Sequence, residues 1–252
     1  MTERRTLVYF IFLFSFLLLG YHGFSQVTVG VSNQKLRLQK VQELFEVGQY
    51  DQVKAEVEFL LSAPEINGVF TSSEVENLQY LNTVSGLIMG SYSSAQDAIL
   101  FLKKAESKFL SAQLAYYLAH YFFELSKFEE ALIYLEQTDA LFLTNEQNER
   151  VQFEKGVSYF SQKKFANASP YFRSLLQLKS SIYNEDVNYY LGFIFFAEKK
   201  YKDALGLFLN VIKSNKYQNV VPFYLSFIYH QLGDQKTSLQ YGEAYLLSLI
   251  HI

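Results

Sequence analysis

The sequence has no cysteine, no tryptophan and only three prolines in 252 residues. Without cysteine there is no disulfide, no thiolate metal site, no thiol nucleophile and no attachment point for a lipoprotein anchor. So few prolines leave long stretches open to continuous helix. A charge excess of one sign is also missing. The formal net charge is −3 and no basic run or stripe occurs, which excludes the electrostatic footprint of a nucleic-acid binder. What the chain has in abundance is aromatic: 24 Phe and 20 Tyr within an apolar fraction of 50%. That composition belongs to a chain that packs a core, not to a disordered one.

Residues 1–25 read as a secretory signal peptide. Arg4 and Arg5 supply the positive start, and Leu7 to Leu19 is apolar apart from Ser15. This run is short of the roughly 20 residues that span a bilayer. Gly23 and Ser25 are the small residues of a cleavage site before Gln26. Retention of the segment as a membrane anchor is the competing reading. Residues 26–33 then form a polar tether, and no later segment is apolar enough to span a membrane. The expected location is outside the cytoplasm, in the periplasm or cell envelope.

The remainder, 34–252, repeats itself. Gly192 is followed at fixed offsets by Tyr201, Ala204 and Phe208; Gly156 by Phe165, Ala168 and Phe172; Ala119 by Phe128, Ala131 and Leu135. Weaker copies run Gly86, Ala95, Ala98, Leu102 and Val41, Tyr50, Val53, Val57, and the last is Ser226, Gln235, Ser238, Gly242. A period in the mid-thirties marks a stacked array of supersecondary units. The approximate units are 34–67, 79–111, 112–148, 149–184, 185–218 and 219–252, with a loop from Ala63 to Ser73 after the first. Small residues at positions such as Gly192 and Ala204 let two helix backbones approach, and the aromatic nine residues on fills the space beside the turn. Polar stretches such as Ser161–Lys164, Glu198–Lys200 and Gly233–Asp234 read as the turns. With Asn167 and Asn219 as N-caps, Pro170 and Pro222 fall at the third helical position, where no intrahelical N–H is needed. Pro64 reads as a helix stop.

This small–aromatic–small pattern resembles the tetratricopeptide repeat family. The resemblance covers residues 34 to about 246, is clearest in repeats three to five, and lacks the Trp that often opens the motif. It implies an all-α fold, a right-handed α-solenoid of about six helix-turn-helix repeats. It also implies that one stripe of each first helix lines a concave inner surface. Carried over position by position, that stripe is Tyr116, His120 and Phe123; Phe153, Val157 and Phe160; Tyr189, Phe193 and Phe196; and Phe223, Phe227 and His230. Such a stripe is polar when solvated. Here it is aromatic, which suits either a groove for an apolar or aromatic partner segment or rings packed on one another. The Lys, Arg and Asn with which some members of the family grip a terminal carboxylate are not matched at these positions.

Catalytic chemistry has no foothold in the pattern. The four histidines, His22, His120, His230 and His251, lie far apart in sequence, and no metal-ligand spacing, nucleophile elbow or phosphate-binding glycine loop occurs. Adjacent pairs such as Glu129–Glu130 and Glu185–Asp186 do not face each other on a helix and read as helix-start charge. No enzyme activity, cofactor, metal or nucleic-acid partner is expected. The expected function is an exported protein-interaction scaffold of the cell envelope. Two alternatives are a repeat module of a larger sensor or assembly protein, suggested by the apolar tail Leu247–Ile252, and a carbohydrate-binding repeat protein.

Overall fold

The computed structural model describes residues 33–62, 70–178 and 180–250. The signal peptide, nearly all of the tether, Pro64 and His251 lie outside the described residues. The elements are helices: α1 (33–46), α2 (Tyr50–Ser62), α3 (Ser72–Ile88), α4 (Tyr92–Leu102), α5 (Lys108–Glu124), α6 (Phe128–Leu135), α7 (Asn145–Ser161), α8 (Phe165–Leu176), α9 (Asn184–Ala197), α10 (Tyr201–Val211), α11 (Val221–Gln231) and α12 (Gln235–Ile250). A short 3-10 turn, Ala140–Phe142, precedes α7. The chain divides into two compact units, the first ending at Leu110 and the second beginning at Ser111.

Each odd-numbered helix and its even-numbered successor form a hairpin, and all six hairpins close in the same way. Three residues connect the helices, and the middle one has a left-handed backbone: Gly48, Gly90, Ser126, Lys163, Lys199 and Gly233. Around each, two backbone bonds recur. In the fourth hairpin Lys163 N–H donates to Phe160 C=O at 2.8 Å and Lys164 N–H to Tyr159 C=O at 2.9 Å. The fifth repeats them from Lys199 to Phe196 at 3.0 Å and from Lys200 to Phe195 at 2.8 Å. This is the Schellman closure, which satisfies carbonyls orphaned at a helix end. Half of the turns place a residue with a side chain where glycine is preferred.

The anchor positions of the sequence repeat form the core. Val53, Ala98, Ala131, Ala168 and Ala204 are fully buried, as are Phe172 and Phe208. Gly156 and Gly192 sit opposite those rings. A Cβ on Gly156 would lie 2.6 Å from Phe172, and one on Gly192 3.2 Å from Phe208. In the last hairpin, Ser226 and Ser238 replace apolar contact by exchange: each hydroxyl donates to the other's carbonyl at 2.9 Å.

Tyrosines on the second helix extend this packing. Phe122 stacks on Tyr134, Tyr159 on Tyr171 and Tyr229 on Tyr241, each pair within one hairpin. Successive hairpins are joined by Phe172 on Tyr190 and Phe208 on Tyr224, with interplanar angles of 9° and 1°. Stacked pairs of this kind add about 0.5–1.5 kcal/mol beyond their buried area.

Two expectations need correction. Pro170 is the sixth residue of α8, not the third, because the helix opens at Phe165 with Lys164 as its cap. The turn closure fixes that start, so the helix carries an interior proline and Ala166 C=O lacks its usual donor. Pro222 is the second residue of α11, capped by Val220 and not Asn219, a position where proline is tolerated. The third helix also opens earlier than the second repeat's nominal start at 79. Thr71 caps it through a reciprocal capping box with Glu74.

Candidate functional site

The first helices of the hairpins in the second unit, α5, α7, α9 and α11, carry the aromatic stripe. The structure places its members in three conditions. Tyr116 and Val157 are buried. His120, Phe123, Phe153, Phe160, Tyr189, Phe193 and Phe196 are partly exposed. Phe223, Phe227 and His230 are exposed, the two phenylalanines at 45% and 39%. The rings of one hairpin lean on those of the next: Phe160 on Phe193 at 5.3 Å, Phe193 on Tyr224 at 5.9 Å and Phe196 on Phe227 at 5.2 Å, all edge-on. Tyr189 stacks on Tyr217 at 4.2 Å. From Phe160 through Phe193 to Phe196 and Phe227 the rings therefore touch from hairpin to hairpin, directly or through Tyr224, and stay partly exposed.

Beside the stripe runs a second aromatic series, and one of its positions is not aromatic. The residue two before the small anchor is Tyr190 in α9 and Tyr224 in α11, and each stacks on a buried phenylalanine of the preceding hairpin. In α7 the same place holds Glu154, and the preceding hairpin offers Leu135. The Glu154 side chain is only 2% exposed. Its Oε1 accepts from His120 Nδ1 at 2.6 Å, while Oε2 is buried with no protein partner. Burial pushes its carboxyl above the ordinary range, against the opposing hydrogen bond and charge of His120. A carboxylate that interrupts an apolar ladder costs stability. Departures of that kind concentrate at functional sites.

Around Glu154 the polar groups form a node. Arg150 Nη1 lies 3.3 Å from His120 Nε2, and the guanidinium also hydrogen-bonds the Tyr183 hydroxyl. Tyr183 in turn stacks on Phe153 at 4.3 Å. The Tyr116 phenol is pushed up to about 12, mainly by burial. Beside the node opens a cleft of about 500 Å³ lined by Tyr116, Glu146, Gln147, Glu149, Arg150, Ser180, Ile182 and Tyr183, so two carboxylates share it with the guanidinium. Its wall is held by a reciprocal amide pair: Gln113 and Gln147 bond each other at 3.3 and 3.0 Å, and Gln113 also donates to Phe142 C=O at 2.6 Å. Gln147 simultaneously closes the Thr144 capping box that starts α7. The cleft geometry thus rests on the way α7 begins.

Of the node, the sequence pointed to Tyr116 and His120 and missed Arg150, Glu154 and Tyr183. The available signal was the repeat offset itself, which puts tyrosine in the third, fifth and sixth repeats, at Tyr117, Tyr190 and Tyr224, where the fourth has glutamate. Chemically the node is no hydrolytic dyad. The His120 nitrogen that would serve as base faces Arg150, which has donors only. Among the described residues, no group of His, Asp and Glu is arranged to hold a metal ion, and no helix is long and apolar enough to cross a membrane.

Among the described residues, six hairpins with one closure and one core register, packed in succession within each unit, have an all-α helical-repeat fold of the tetratricopeptide type. Solved structures agree. PilF of Pseudomonas aeruginosa matches at 15% identity with a TM-score of 0.55, over 87% of this chain and 97% of that one. A tetratricopeptide repeat protein from Parabacteroides merdae matches at 12% identity and 0.53, over 85% and 79%. MamA of strain AMB-1 matches at 16% and 0.53, over 68% and 89%. No protein-family model and no curated protein matches the sequence, so the likeness is one of fold.

Proposed function

We propose that this protein is an exported, non-catalytic interaction scaffold of the cell envelope that seats a partner segment on the aromatic face of its second unit. The observation that supports it is the ladder of partly exposed rings from Phe160 through Phe193 and Phe196 to Phe227, with Phe123 on α5 and the Tyr116–Tyr183 cleft as further surface. Contiguous exposed apolar surface on a folded protein generally marks an interaction site. Aromatic rings give such a site much contact area for little lost side-chain entropy. An apolar segment with an aromatic anchor fits this face, because rings already packed edge-on can accept one more edge or face.

The test is site-specific photo-crosslinking. A photoreactive side chain at Phe193 or Phe227 is expected to capture a discrete partner from envelope extract, and the same group at Ile133 on α6 is not. Capture is expected to fall several-fold when Phe196 is changed to Ala. Equal labelling from all three positions, or none, overturns the docking reading. Export is tested separately by fusing residues 1–33 to a phosphatase that is active only outside the cytoplasm. An inactive fusion overturns the envelope assignment.

A further inference from the structure

The His120 contacts have a consequence beyond docking. Nδ1 faces the Glu154 carboxylate, an acceptor, at 2.6 Å, so this nitrogen carries the proton in the neutral ring. Nε2 then holds a lone pair, and Arg150 Nη1 at 3.3 Å donates to it. A second proton on the ring ends that bond, because Nε2–H and the guanidinium are both donors and both cationic. A replacement acceptor is at hand: Glu124 Oε1, one turn along α5, lies 3.9 Å from Nε2. The titratable and charged groups around the ring and its Arg150 partner are Arg150, Glu154, Glu146 and Glu149 of α7, Glu124 and Tyr116 of α5, and Tyr183 ahead of α9.

We propose that His120 is a proton-operated latch on Arg150. The neutral ring holds the guanidinium against α5, and the protonated ring turns to Glu124 and releases Arg150 into the cleft. Histidine is the side chain whose ordinary charge change falls between about pH 5 and 8. Nε2 here has a different partner in each state, Arg150 of α7 in one and Glu124 of α5 in the other, while Nδ1–H stays on Glu154. Release adds a free Nη1 donor to a guanidinium that the Tyr183 hydroxyl still holds, in a cleft also lined by Glu146 and Glu149. Acidification therefore raises the capacity of the cleft to donate to a carboxylate, its own or a partner's. The effect on partner choice rests on the docking reading; the latch itself does not.

The experiment is nitrogen NMR on the full chain labelled at histidine and arginine, with Arg150→Lys identifying the Arg150 signals. At pH 8 the His120 ring is expected to carry its proton on Nδ1. On acidification the Arg150 guanidinium signals are expected to shift with the same midpoint as the His120 ring, the Tyr183 contact being kept in both states. In His120→Phe the Arg150 signals are expected to lack that shift. Phenylalanine occupies the equivalent place at Phe193 and Phe227, so the ring is accommodated, and the variant is made together with Glu154→Gln so that no buried carboxylate is left unpaired. Glu124→Gln, at an exposed side chain, provides a second variant in which the two midpoints must still coincide. A proton on Nε2 in the neutral ring, an Arg150 signal that ignores pH, or titration that persists in His120→Phe overturns the latch. These signals need no partner, so failure to find one leaves the result intact.

Discussion

Four glycines share one helix type but not one environment, which permits a graded test of the packing argument. A Cβ added at Gly206, in the middle of α10, meets nothing within 4 Å. At Gly192 it meets Phe208 at 3.2 Å and Leu207 at 3.3 Å. At Gly156 it lies 2.6 Å from one atom of the Phe172 ring and 2.9 Å from another. At Gly86 it falls 1.8 Å from the Ser94 hydroxyl. Glycine to alanine in a helix interior gains about 1 kcal/mol from backbone entropy alone. Gly206→Ala is therefore expected to stabilise by about that amount. At Gly192 the neighbours must give by a few tenths of an ångström, which cancels the gain and leaves a change within about 0.5 kcal/mol. Phe172 cannot step aside, since it is fully buried and stacked on Tyr190. Overpacking costs about 1–3 kcal/mol, so Gly156→Ala is expected to destabilise by a net ~1–2 kcal/mol. Gly86→Ala needs the Ser94 side chain to move and belongs with Gly156→Ala. Urea titration followed by helical circular dichroism gives the order, since shifts in midpoint at constant slope report stability. If Gly156→Ala were as stabilising as Gly206→Ala, the close contact with Phe172 could not be what requires glycine there.

Glu154→Gln keeps an acceptor for His120 and removes a buried charge. Because the Glu154 carboxyl is raised by burial, wild-type stability from this group is present in acid and is lost as pH rises through the raised value. The variant is expected to gain on wild type by about 1 kcal/mol near pH 8 and to lose that lead toward pH 4; a lead that grows in acid contradicts the assignment. Lys163→Gly and Lys199→Gly relieve left-handed backbone, at φ of 60° in each, and should raise the urea midpoint by the equivalent of about 1 kcal/mol apiece. Burial raises the phenols of Tyr116, Tyr189, Tyr190, Tyr217 and Tyr224, so their contribution is intact below about pH 10 and is lost as pH climbs toward 12. Phenolate absorbance and loss of helix are expected to rise together over that interval. Phenolate appearing well before any loss of helix would mean that these rings are not held in the core.

The repeat was legible because its causes are local. A small residue, an aromatic nine positions on and another small residue three further along encode two helices that must touch, and every strong copy proved to be a hairpin in the same register. The offsets from Gly192 and Gly156 also point to their buried partners, Ala204 and Phe208 for the one and Ala168 and Phe172 for the other. The turns were half legible. Gly233–Asp234 reads as a turn in any sequence, whereas Lys163 and Lys199 adopt glycine's backbone only because both flanking helices demand the same closure. Pro170 misled for the same reason: Asn167 looks like a cap, but Lys164 is the residue that the turn delivers to the helix start.

The aromatic face was the least legible part. An aromatic stripe in sequence looks the same whether its rings point into a groove or into each other. Only the spacing of consecutive helices decided that Tyr116 is covered, Phe193 half covered and Phe227 exposed. The node at Glu154 is a tertiary product in a stricter sense. His120 and Arg150 are thirty residues apart, and no local propensity relates them. By itself the sequence determined the hairpins, because helix periodicity and close backbone approach are written in neighbouring residues. The tertiary structure alone decided where a carboxylate, an imidazole and a guanidinium meet, because that depends on which rungs of one repeat face those of the next.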